Sequence, residues 1–219
     1  MIEQYMGTGW YNAMLPLLQS SYFQSLREFL TRETKLYRLF PSYEITFKAF
    51  KETPLETVRV VILGQDPYHD GSATGLAFAN AKISLSPSLR NIMKEVKRDI
   101  YNDAPNFKFD SSLESWAKQG VLLLNTALSV RYRDPGSHMQ SWMPFTNYVL
   151  GVLGKQSSNI IYLLWGKHAN AFKPMIKSNY ILEAGHPSPL NTAVPFIGCG
   201  HFSKVNEILK ELNETPITW

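Results

Sequence analysis

Residues 64 to 71 read GQDPYHDG and follow directly after the apolar run VRVVIL. The side chains of Gln65, Asp66, Tyr68 and His69 in this segment can form hydrogen bonds. A turn would use the glycines, the aspartate and the proline, but it would have no need of the other three side chains. The segment therefore indicates that Gln65, Tyr68 and His69 are directed at a ligand.

Three other apolar runs also end in residues that can take part in chemistry. Asn125 follows VLLL, Gly166 and Lys167 follow IIYLLW, and His186 follows YILEA after one glycine. Together with Asp66, these segments supply a carboxylate, an amide that can form two hydrogen bonds, and an imidazole. This is a combination of groups that an active site uses.

The four apolar runs themselves predict the fold. They cover residues 58–63, 121–124, 160–165 and 180–184, and they lack regular polar alternation. Helix-like stretches such as SPSLRNIMKEVKRDI and SSLESWAKQG separate them, which is the pattern of a parallel sheet covered on both faces. We therefore predict an α/β protein with a central four-stranded, mainly parallel sheet flanked by helices. Ligands collect at the carboxyl ends of such strands, so Asp66, Asn125 and His186 are expected around one crevice.

Each of these three residues also has an ordinary structural explanation. Asp66 can form a turn or cap a helix, and Asn125 with Thr126 can cap the helix that follows. His186 can be a surface residue in a loop that the neighbouring prolines stiffen. Three independent turns, however, would not have to bring a carboxylate, an amide and an imidazole to the same edge of a sheet.

The first 57 residues read as a mainly helical scaffold of the same domain. Apolar residues recur at helical spacing from about Leu17, just past Pro16, to Thr34, and Phe47 with Phe50 marks a second short helix. The segment LREFLTRETKLYRLF is basic and aromatic, and we interpret it as a scaffold helix with solvated charges. No repeat or long linker interrupts the sequence, so one domain over 1–219 is predicted.

Composition narrows the classes of function. The chain has 219 residues, of which 44% are hydrophobic, and 22 basic against 18 acidic side chains give a net charge of +4. This balance favours a polyanionic partner. Cys199 is the single cysteine, which excludes an internal disulfide and a zinc site built on cysteine pairs. The histidines lack metal-site spacing, and neither a Gly-x-Ser-x-Gly elbow nor a phosphate-binding glycine loop is present. With no signal peptide or membrane-spanning window, a cytoplasmic protein is expected.

Seven motifs give the chain a family resemblance over nearly its whole length. It resembles family 1 uracil-DNA glycosylases, which remove uracil from DNA. The motifs stand in the family's order and read VVILGQDPYH, GLAF, SPSLRNIMKE, LESWAKQGVLLLNTALSV, LLWGKHA, HPSPL and FIGCGHFSKVN. The resemblance implies the uracil-DNA glycosylase fold and an enzyme that flips uracil out of DNA. It would hydrolyse the N-glycosidic bond and leave an abasic site, the first step of base excision repair.

The resemblance also implies a role for each matching residue. Asp66 would position water and stabilise positive charge on the sugar, and His186 would donate a hydrogen bond to uracil O2 as a neutral imidazole. Uracil itself would be bound by four side chains: Gln65 at the water or base, Tyr68 at the C5 edge, Phe78 by stacking, and Asn125 at the polar edge. Contacts to DNA would come from Leu190, which enters the duplex, and from Ser88, Gly166, Lys167 and Ser188 at phosphates.

Partners and cofactors follow from the same resemblance. The expected substrate is uracil-containing DNA, single- or double-stranded, with no metal, no organic cofactor and no membrane. A monomer is expected, and a proteinaceous inhibitor is a further partner. An amide that rotated freely would accept cytosine as well as uracil, so we expect a backbone or side-chain partner to fix Asn125.

The chain departs from the family pattern in three loops, and two other functions stay open. The segment DGSAT after His69 is one residue short, Ser86 replaces a usual proline, and NTAVPFIG lacks a usual arginine, which is expected to weaken DNA affinity. One alternative is a related glycosylase with broader base choice, against which Tyr68 and Asn125 argue. The other is a non-enzymatic DNA-binding or scaffold protein on the same fold, against which Asp66 and His186 argue.

Overall fold

A four-stranded parallel sheet forms from the four apolar runs. The computed structural model describes residues 2–82 and 84–219. Its strands are β2 Val60–Gly64, β3 Val121–Asn125, β5 Ile161–Trp165 and β6 Tyr180–Ala184. They stand in the order β3-β2-β5-β6, and all three pairings are parallel. Strands β2, β3 and β5 are buried along their whole length, which explains why their sequences lack polar alternation. The predicted sheet and its helical flanks are therefore confirmed.

Helices and short segments make up the remainder of the described chain. The α-helices are α1 Glu3–Met6, α2 Thr8–Leu18, α3 Ser21–Leu36, α4 Lys48–Glu52, α5 Pro87–Tyr101, α6 Glu114–Ala117, α7 Met139–Gln156, α8 Gly166–Asn170 and α9 His201–Glu211. Single turns of 3-10 helix occur at Tyr43–Ile45, Leu55–Thr57 and Lys173–Met175. No helix in the described ranges is both long enough and apolar enough to span a bilayer.

The predicted helix from Leu17 to Thr34 is wrong at its start. Helix α2 continues through Pro16 to Leu18, and a new helix, α3, begins at Ser21. The break occurs because the Ser20 hydroxyl accepts a hydrogen bond from the Phe23 N–H at 3.3 Å and so caps α3. The apolar spacing runs through both helices and does not reveal this cap.

A second, two-stranded sheet was not predicted. Its strands are β1 Leu39–Phe40 and β4 Val130–Arg131, which pair antiparallel with Leu39 opposite Arg131. Two residues are too few to show a period in the sequence, so only the structure reveals this ribbon. It joins the chain after α3 to the chain after β3.

Aromatic side chains fill the core around the sheet. One cluster joins α2, α4 and α7 through Trp10, Phe50, Trp142 and Phe145, with neighbouring ring centroids 5.0–5.9 Å apart. A second cluster joins α6 and α9 through Trp116, Phe202 and Trp219. These clusters pack the helices around the sheet. Because its strands are parallel, their carboxyl ends lie at one edge.

Candidate active site

Asn125 lies at the carboxyl edge of the sheet, beside the last residue of β2. Gly64 pairs with Asn125, and a Cβ placed on Gly64 would lie only 2.2 Å from Asn125 Oδ1 and 3.0 Å from Ala77 Cβ. Only glycine at position 64 lets the amide pack this closely over β2. Asn125 is buried as a result, at 7% exposure, and Ala77 also lies against Gly64.

The loops after three strands are joined by hydrogen bonds around Thr126. The Gln65 carbonyl accepts hydrogen bonds from the Ala127 N–H at 3.0 Å and from the Thr126 hydroxyl at 2.8 Å. The Thr126 Oγ1 therefore accepts from His168 Nε2, at 2.6 Å. Residues after β2, β3 and β5 consequently hold one another at the sheet edge.

Asp66 follows Gln65 in this fixed segment, with its carboxylate half-buried. The Gly136 N–H donates a hydrogen bond to Asp66 Oδ2 at 2.6 Å. Burial raises the pKa of the Asp66 carboxyl, and the Gly136 hydrogen bond and the nearby imidazoles of His69 and His168 oppose this rise. Partial burial of Asp66 thus disfavours its charged form, and the Gly136 N–H favours it.

A buried polar network supports the loop that carries Gly136. Glu33 on α3 accepts hydrogen bonds from Arg131, with the Nη2–Oε1 distance at 2.9 Å, and from His138 Nε2 at 3.1 Å. His138 also shares a hydrogen bond with the Ser129 hydroxyl at 2.9 Å. Arg131 and His138 therefore anchor the two ends of this loop, and the Gly136 N–H within it donates to Asp66.

Tyr68 is fixed by hydrogen bonds at its hydroxyl. The oxygen lies 3.1 Å from the Phe78 carbonyl and 2.5 Å from Ser86 Oγ, which itself accepts the Leu89 N–H at the start of α5. Every group is satisfied if Ser86 donates to Tyr68 and Tyr68 donates to the Phe78 carbonyl. The Tyr68 ring is thereby held beside Phe78.

Phe78 has a backbone conformation that is uncommon for a bulky residue. Its φ is +66°, which costs energy and is most often found where function requires it. The ring centroid lies 5.4 Å from that of Trp165 and 6.0 Å from that of His186. Trp165 supports the Phe78 ring, and His186 borders it.

His186 has one ring nitrogen that is hydrogen-bonded within the protein. Its Nδ1 accepts a hydrogen bond from the Ser188 N–H at 3.0 Å. Burial lowers the pKa of the His186 imidazole, and the nearby His168 lowers it further. A neutral ring whose Nδ1 is an acceptor carries its proton on Nε2, so Nε2–H is the donor that remains.

The loop that follows His186 is held at its base and exposed at its tip. Asn191 Nδ2 donates to the His186 carbonyl at 3.1 Å, and Asn91 Nδ2 on α5 donates to the Pro187 carbonyl at 2.8 Å. Leu190, by contrast, is 91% exposed. The loop therefore presents an apolar side chain to solvent on a supported base.

The remaining predicted contact residues surround this loop. Gly166 has φ +86°, and a Cβ there would meet His186 Cβ at 2.8 Å, so the start of α8 and the His186 loop approach closely. Lys167 follows it and is exposed. Ser88 lies in the first turn of α5, where backbone N–H groups can bind an anion.

Comparisons with known proteins show which family this chain belongs to. The model of the "Uracil DNA glycosylase superfamily" matches residues 50–210. A uracil-DNA glycosylase of Clostridioides difficile is 42% identical over 219 residues, which cover 98% of this chain and 96% of that protein. The chain belongs to the uracil-DNA glycosylase superfamily. A second superfamily relative, uracil-DNA glycosylase 2 of Bacteroides fragilis, is 42% identical over 96% of both chains.

Solved structures of uracil-DNA glycosylases have the same fold. The mimivirus uracil-DNA glycosylase superposes with a TM-score of 0.88 at 27% identity, covering 96% of this chain and 86% of that one. A mimivirus UNG variant in complex with UGI superposes with a TM-score of 0.90 at 27% identity, covering 100% and 90%. The predicted uracil-DNA glycosylase fold is confirmed.

The structure brings the predicted residues of this superfamily member together. His168 interacts electrostatically with both Asp66 and His186, and the Phe78 ring lies 6.0 Å from that of His186. The Tyr68 hydroxyl lies 3.1 Å from the Phe78 carbonyl, and Asn125 packs over Gly64, two residues before Asp66. Ser188 and Leu190 lie on the loop after His186, and Gly166 adjoins it.

One expectation about the site is wrong. Within residues 2–82 and 84–219, no hydrogen bond to the Asn125 side chain fixes its amide. Packing takes the place of the expected partner, because Asn125 Oδ1 lies against Gly64 where no side chain intervenes. Steric packing against Gly64 therefore restrains the orientation of the Asn125 amide.

Several residues that shape the site were not predicted to have a role. Thr126 and His168 follow the apolar runs and could have been noticed from that position alone. Gly136 and Asn91 gave no signal, since a backbone amide looks the same in any loop and a helical asparagine looks the same in any helix. Ser86 could be recognised only as a helix cap.

Other parts of the described chain offer less chemistry. A cavity of about 830 Å³ lies beside α2, α3 and β1, and among the described residues its lining contains no carboxylate and no histidine. In the same ranges, no group of three or more His, Cys, Asp or Glu side chains is arranged to hold a metal ion. The carboxyl edge of the sheet is therefore the candidate active site.

Proposed function

We propose that this superfamily member flips uracil out of DNA and hydrolyses its N-glycosidic bond, which leaves an abasic site and initiates base excision repair. Within the superfamily we assign it to family 1 on its motifs. One observation supports the proposal: His168 lies near enough to interact electrostatically with both Asp66 and His186, and the free donor of His186 is Nε2–H. We treat residues 1–219 as one catalytic domain.

Extrusion of the nucleotide comes first, because a stacked base hides its glycosidic bond. Unstacking and unpairing cost on the order of a few kcal/mol. Leu190, exposed at the tip of a supported loop, would fill the space that the nucleotide leaves. Ser88, Ser188, Gly166 and Lys167 would contact the phosphates on either side.

Bond cleavage then separates two charges. The C1′–N1 bond breaks with its electron pair going to uracil, which leaves a cationic sugar and a uracil anion. The Asp66 carboxylate stabilises the sugar cation and orients a water, with Gln65 beside it, and the oxygen of that water bonds to C1′. That water loses a proton and uracil gains one, so the reaction balances without a cofactor.

His186 stabilises the departing base. Its Nε2–H donates to uracil O2, where negative charge accumulates, while its Nδ1 is held by the Ser188 N–H. The lowered pKa keeps the imidazole neutral near pH 7, so it does not place a cation beside Asp66. Phe78 stacks on the uracil ring, supported by Trp165.

Specificity depends on two side chains. The Asn125 amide matches uracil, which offers O4 as an acceptor and N3–H as a donor, whereas cytosine offers the reverse. Tyr68, fixed at its hydroxyl by Phe78 and Ser86, stands where the C5 methyl group of thymine would have to fit. Rejection of thymine is therefore steric.

The same proposal covers the partners. The substrate is uracil-containing DNA, single- or double-stranded, and the protein acts as a monomer in the cytoplasm, where DNA is accessible. A proteinaceous inhibitor is a further partner, supported by the mimivirus UNG variant captured with UGI.

The test is an assay with four oligonucleotides, containing U opposite A, U opposite G, T opposite G, or U in a single strand. Abasic sites are then cleaved with alkali and the fragments measured. We expect cleavage of every uracil substrate and none of the thymine substrate. Cleavage at thymine would instead support a glycosylase with broader base choice. DNA binding without any cleavage would refute the proposed reaction.

A further inference from the structure

A basic and aromatic patch lies beside the crevice. It consists of Arg38, Phe40, Tyr132 and Arg133, and is called the ribbon patch because β1 and β4 carry or adjoin all four residues. The Arg38 guanidinium lies 5.0 Å from the Phe40 ring centroid and 5.8 Å from that of Tyr132. Arg133 lies 4.9 Å from the Tyr132 centroid. These are cation–π distances, which align both guanidinium groups with the aromatic rings.

The patch is built by the backbone of the ribbon. The Tyr132 N–H donates to the Arg38 carbonyl at 2.8 Å. Arg133 has φ +57°, uncommon for a residue other than glycine, and its N–H donates to the His69 carbonyl at 3.0 Å. Helix α3 ends at Leu36, so the basic segment that we interpreted as scaffold helix leaves the helix before it reaches Arg38.

Charges in the patch are not neutralised within the protein. In the described residues, neither Arg38 nor Arg133 has a carboxylate within 4.0 Å, whereas Arg131 is paired with Glu33 and Asp134. The neighbouring Asp70 is paired with Lys82. Both free guanidinium groups are exposed, and Tyr132 beside them is 41% exposed.

The ribbon patch is continuous with the catalytic segment. The Arg133 N–H donates a hydrogen bond to the carbonyl of His69, which lies three residues after Asp66. On the same loop, the Gly136 N–H donates a hydrogen bond to Asp66 itself. Phe40 adjoins Gly71, where a Cβ would lie 3.5 Å from its ring. A polymer that delivers a nucleotide to Asp66 therefore passes close to the patch.

We propose that the ribbon patch binds the DNA strand that flanks the flipped nucleotide on the His69 side of the crevice. Stacked guanidinium groups still present N–H edges that suit phosphate oxygens, and an exposed tyrosine offers a face on which a base can stack. Two phosphates would bind Arg38 and Arg133, and one base would stack on Tyr132. This inference rests on the proposed function, because it extends the DNA contacts of the same site.

The test compares Arg38→Gln/Arg133→Gln with wild type. Binding of a uracil-free single-stranded oligonucleotide is followed by fluorescence anisotropy over a range of salt concentrations. Each phosphate contact on a single strand contributes about 0.7 to the slope of log affinity against log salt, so we expect the slope to fall by about 1.4. Arg38→Lys/Arg133→Lys keeps the charges and is expected to keep most of the slope.

A matched control removes two charges from the opposite edge of the sheet. Lys118 and Lys155 are exposed and lie on the segments that precede β3 and β5. Lys118→Gln/Lys155→Gln should leave the slope unchanged.

Tyr132→Ala should weaken binding at least about fivefold, the loss expected for one stacked base. Uracil release by the glutamine variant should show a raised KM and an unchanged kcat.

Three results would overturn the inference. They are an unchanged slope in the Arg38→Gln/Arg133→Gln variant, an equal fall in the slope of the Lys118→Gln/Lys155→Gln control, and a wild type that does not bind DNA. Thermal unfolding of each variant checks that the fold is kept, and the single variants Arg38→Gln and Arg133→Gln replace the pair if it unfolds. A wild type that binds DNA but releases no uracil would refute the proposed function alone. The two failures are therefore distinguishable.

Discussion

At the scale of single residues, burial shifts the pKa values of Asp66 and His186 in opposite directions. Burial raises the pKa of the Asp66 carboxyl and lowers the pKa of the His186 imidazole, so burial opposes the charged form of each. The proposed reaction uses the neutral form of His186. It uses the charged form of Asp66, which the hydrogen bond from the Gly136 N–H favours.

Asp66→Asn should therefore keep or increase stability near neutral pH. A carboxyl whose pKa is raised on folding binds more protons in the folded state, so stability is lost as pH rises from the unfolded pKa through the folded pKa. Asparagine removes this loss and can still accept the Gly136 N–H. Thermal unfolding at neutral and acid pH measures the difference, which should shrink in acid. Asp103→Asn, an exposed change after α5, is the control. A lower melting temperature for Asp66→Asn at neutral pH would contradict the burial argument.

Tyr68→Ala should allow thymine to be released. Removing the ring opens the space for a C5 methyl group, whereas Tyr68→Phe removes only the hydroxyl and its bonds to Phe78 and Ser86. We expect thymine release from T·G oligonucleotides by the alanine variant and none by the phenylalanine variant. If both variants reject thymine, the steric barrier lies elsewhere.

At the scale of elements, the loop between β4 and α7 transmits support from α3 to Asp66. Hydrogen bonding to Arg131, and then to His138, lowers the pKa of the Glu33 carboxyl despite its burial. A group with a lowered folded pKa stabilises the protein above its unfolded pKa, and this contribution is lost as pH falls through the folded pKa. Glu33 thus links helix α3 to the loop that presents Gly136.

Glu33→Gln should weaken both the fold and the reaction. Loss of the charged hydrogen bonds is expected to lower the free energy of unfolding by about 1.5–3 kcal/mol at neutral pH. Turnover should also fall, because the Gly136 amide is less firmly held against Asp66. Urea unfolding and uracil release measure the two effects, with Glu28→Gln on the exposed face of α3 as the control. Unchanged stability at neutral pH would remove Glu33 from this role.

Much of this architecture could be predicted from the sequence, and the exceptions have physical causes. Apolar runs predicted the sheet because buried parallel strands need apolar side chains on both faces, and β6 was predicted at its observed bounds. The ribbon was missed because two-residue strands have no period, and α3 was misplaced because one hydroxyl decides where it begins. Asp66, Asn125 and His186 could be located because each follows a strand. The surroundings of Asp66 and Asn125 could not be predicted. Asp66 accepts a hydrogen bond from a backbone amide, and Asn125 packs in the space over Gly64, and neither feature has a sequence signal.

At the scale of the whole molecule, packing around Trp219 joins three helices. Its ring lies 5.0 Å from those of Trp116 on α6 and Phe202 on α9, and Tyr101 on α5 donates a hydrogen bond to its carbonyl at 2.7 Å. Trp219 is only 5% exposed. These contacts hold α5, which carries Ser88 and Asn91, against the rest of the core.

Trp219→Ala should therefore destabilise the whole fold. The expected loss in the free energy of unfolding is about 3–5 kcal/mol, as for other buried tryptophans. Leu36→Ala, at a residue that is 72% exposed, should change it by about 0.5 kcal/mol or less. Denaturant unfolding measures both, and a loss of under about 1 kcal/mol for Trp219→Ala would contradict the packing argument.

The central claim is that Asp66 and His186 act on one extruded uracil nucleotide from a shared crevice. The most direct measurement is the single-turnover rate of uracil release from an oligonucleotide with one deoxyuridine, for wild type, Asp66→Asn and His186→Gln, with DNA affinity measured alongside. We predict that each variant loses orders of magnitude in rate while binding DNA with nearly wild-type affinity. A near-normal rate in either variant would contradict the claim.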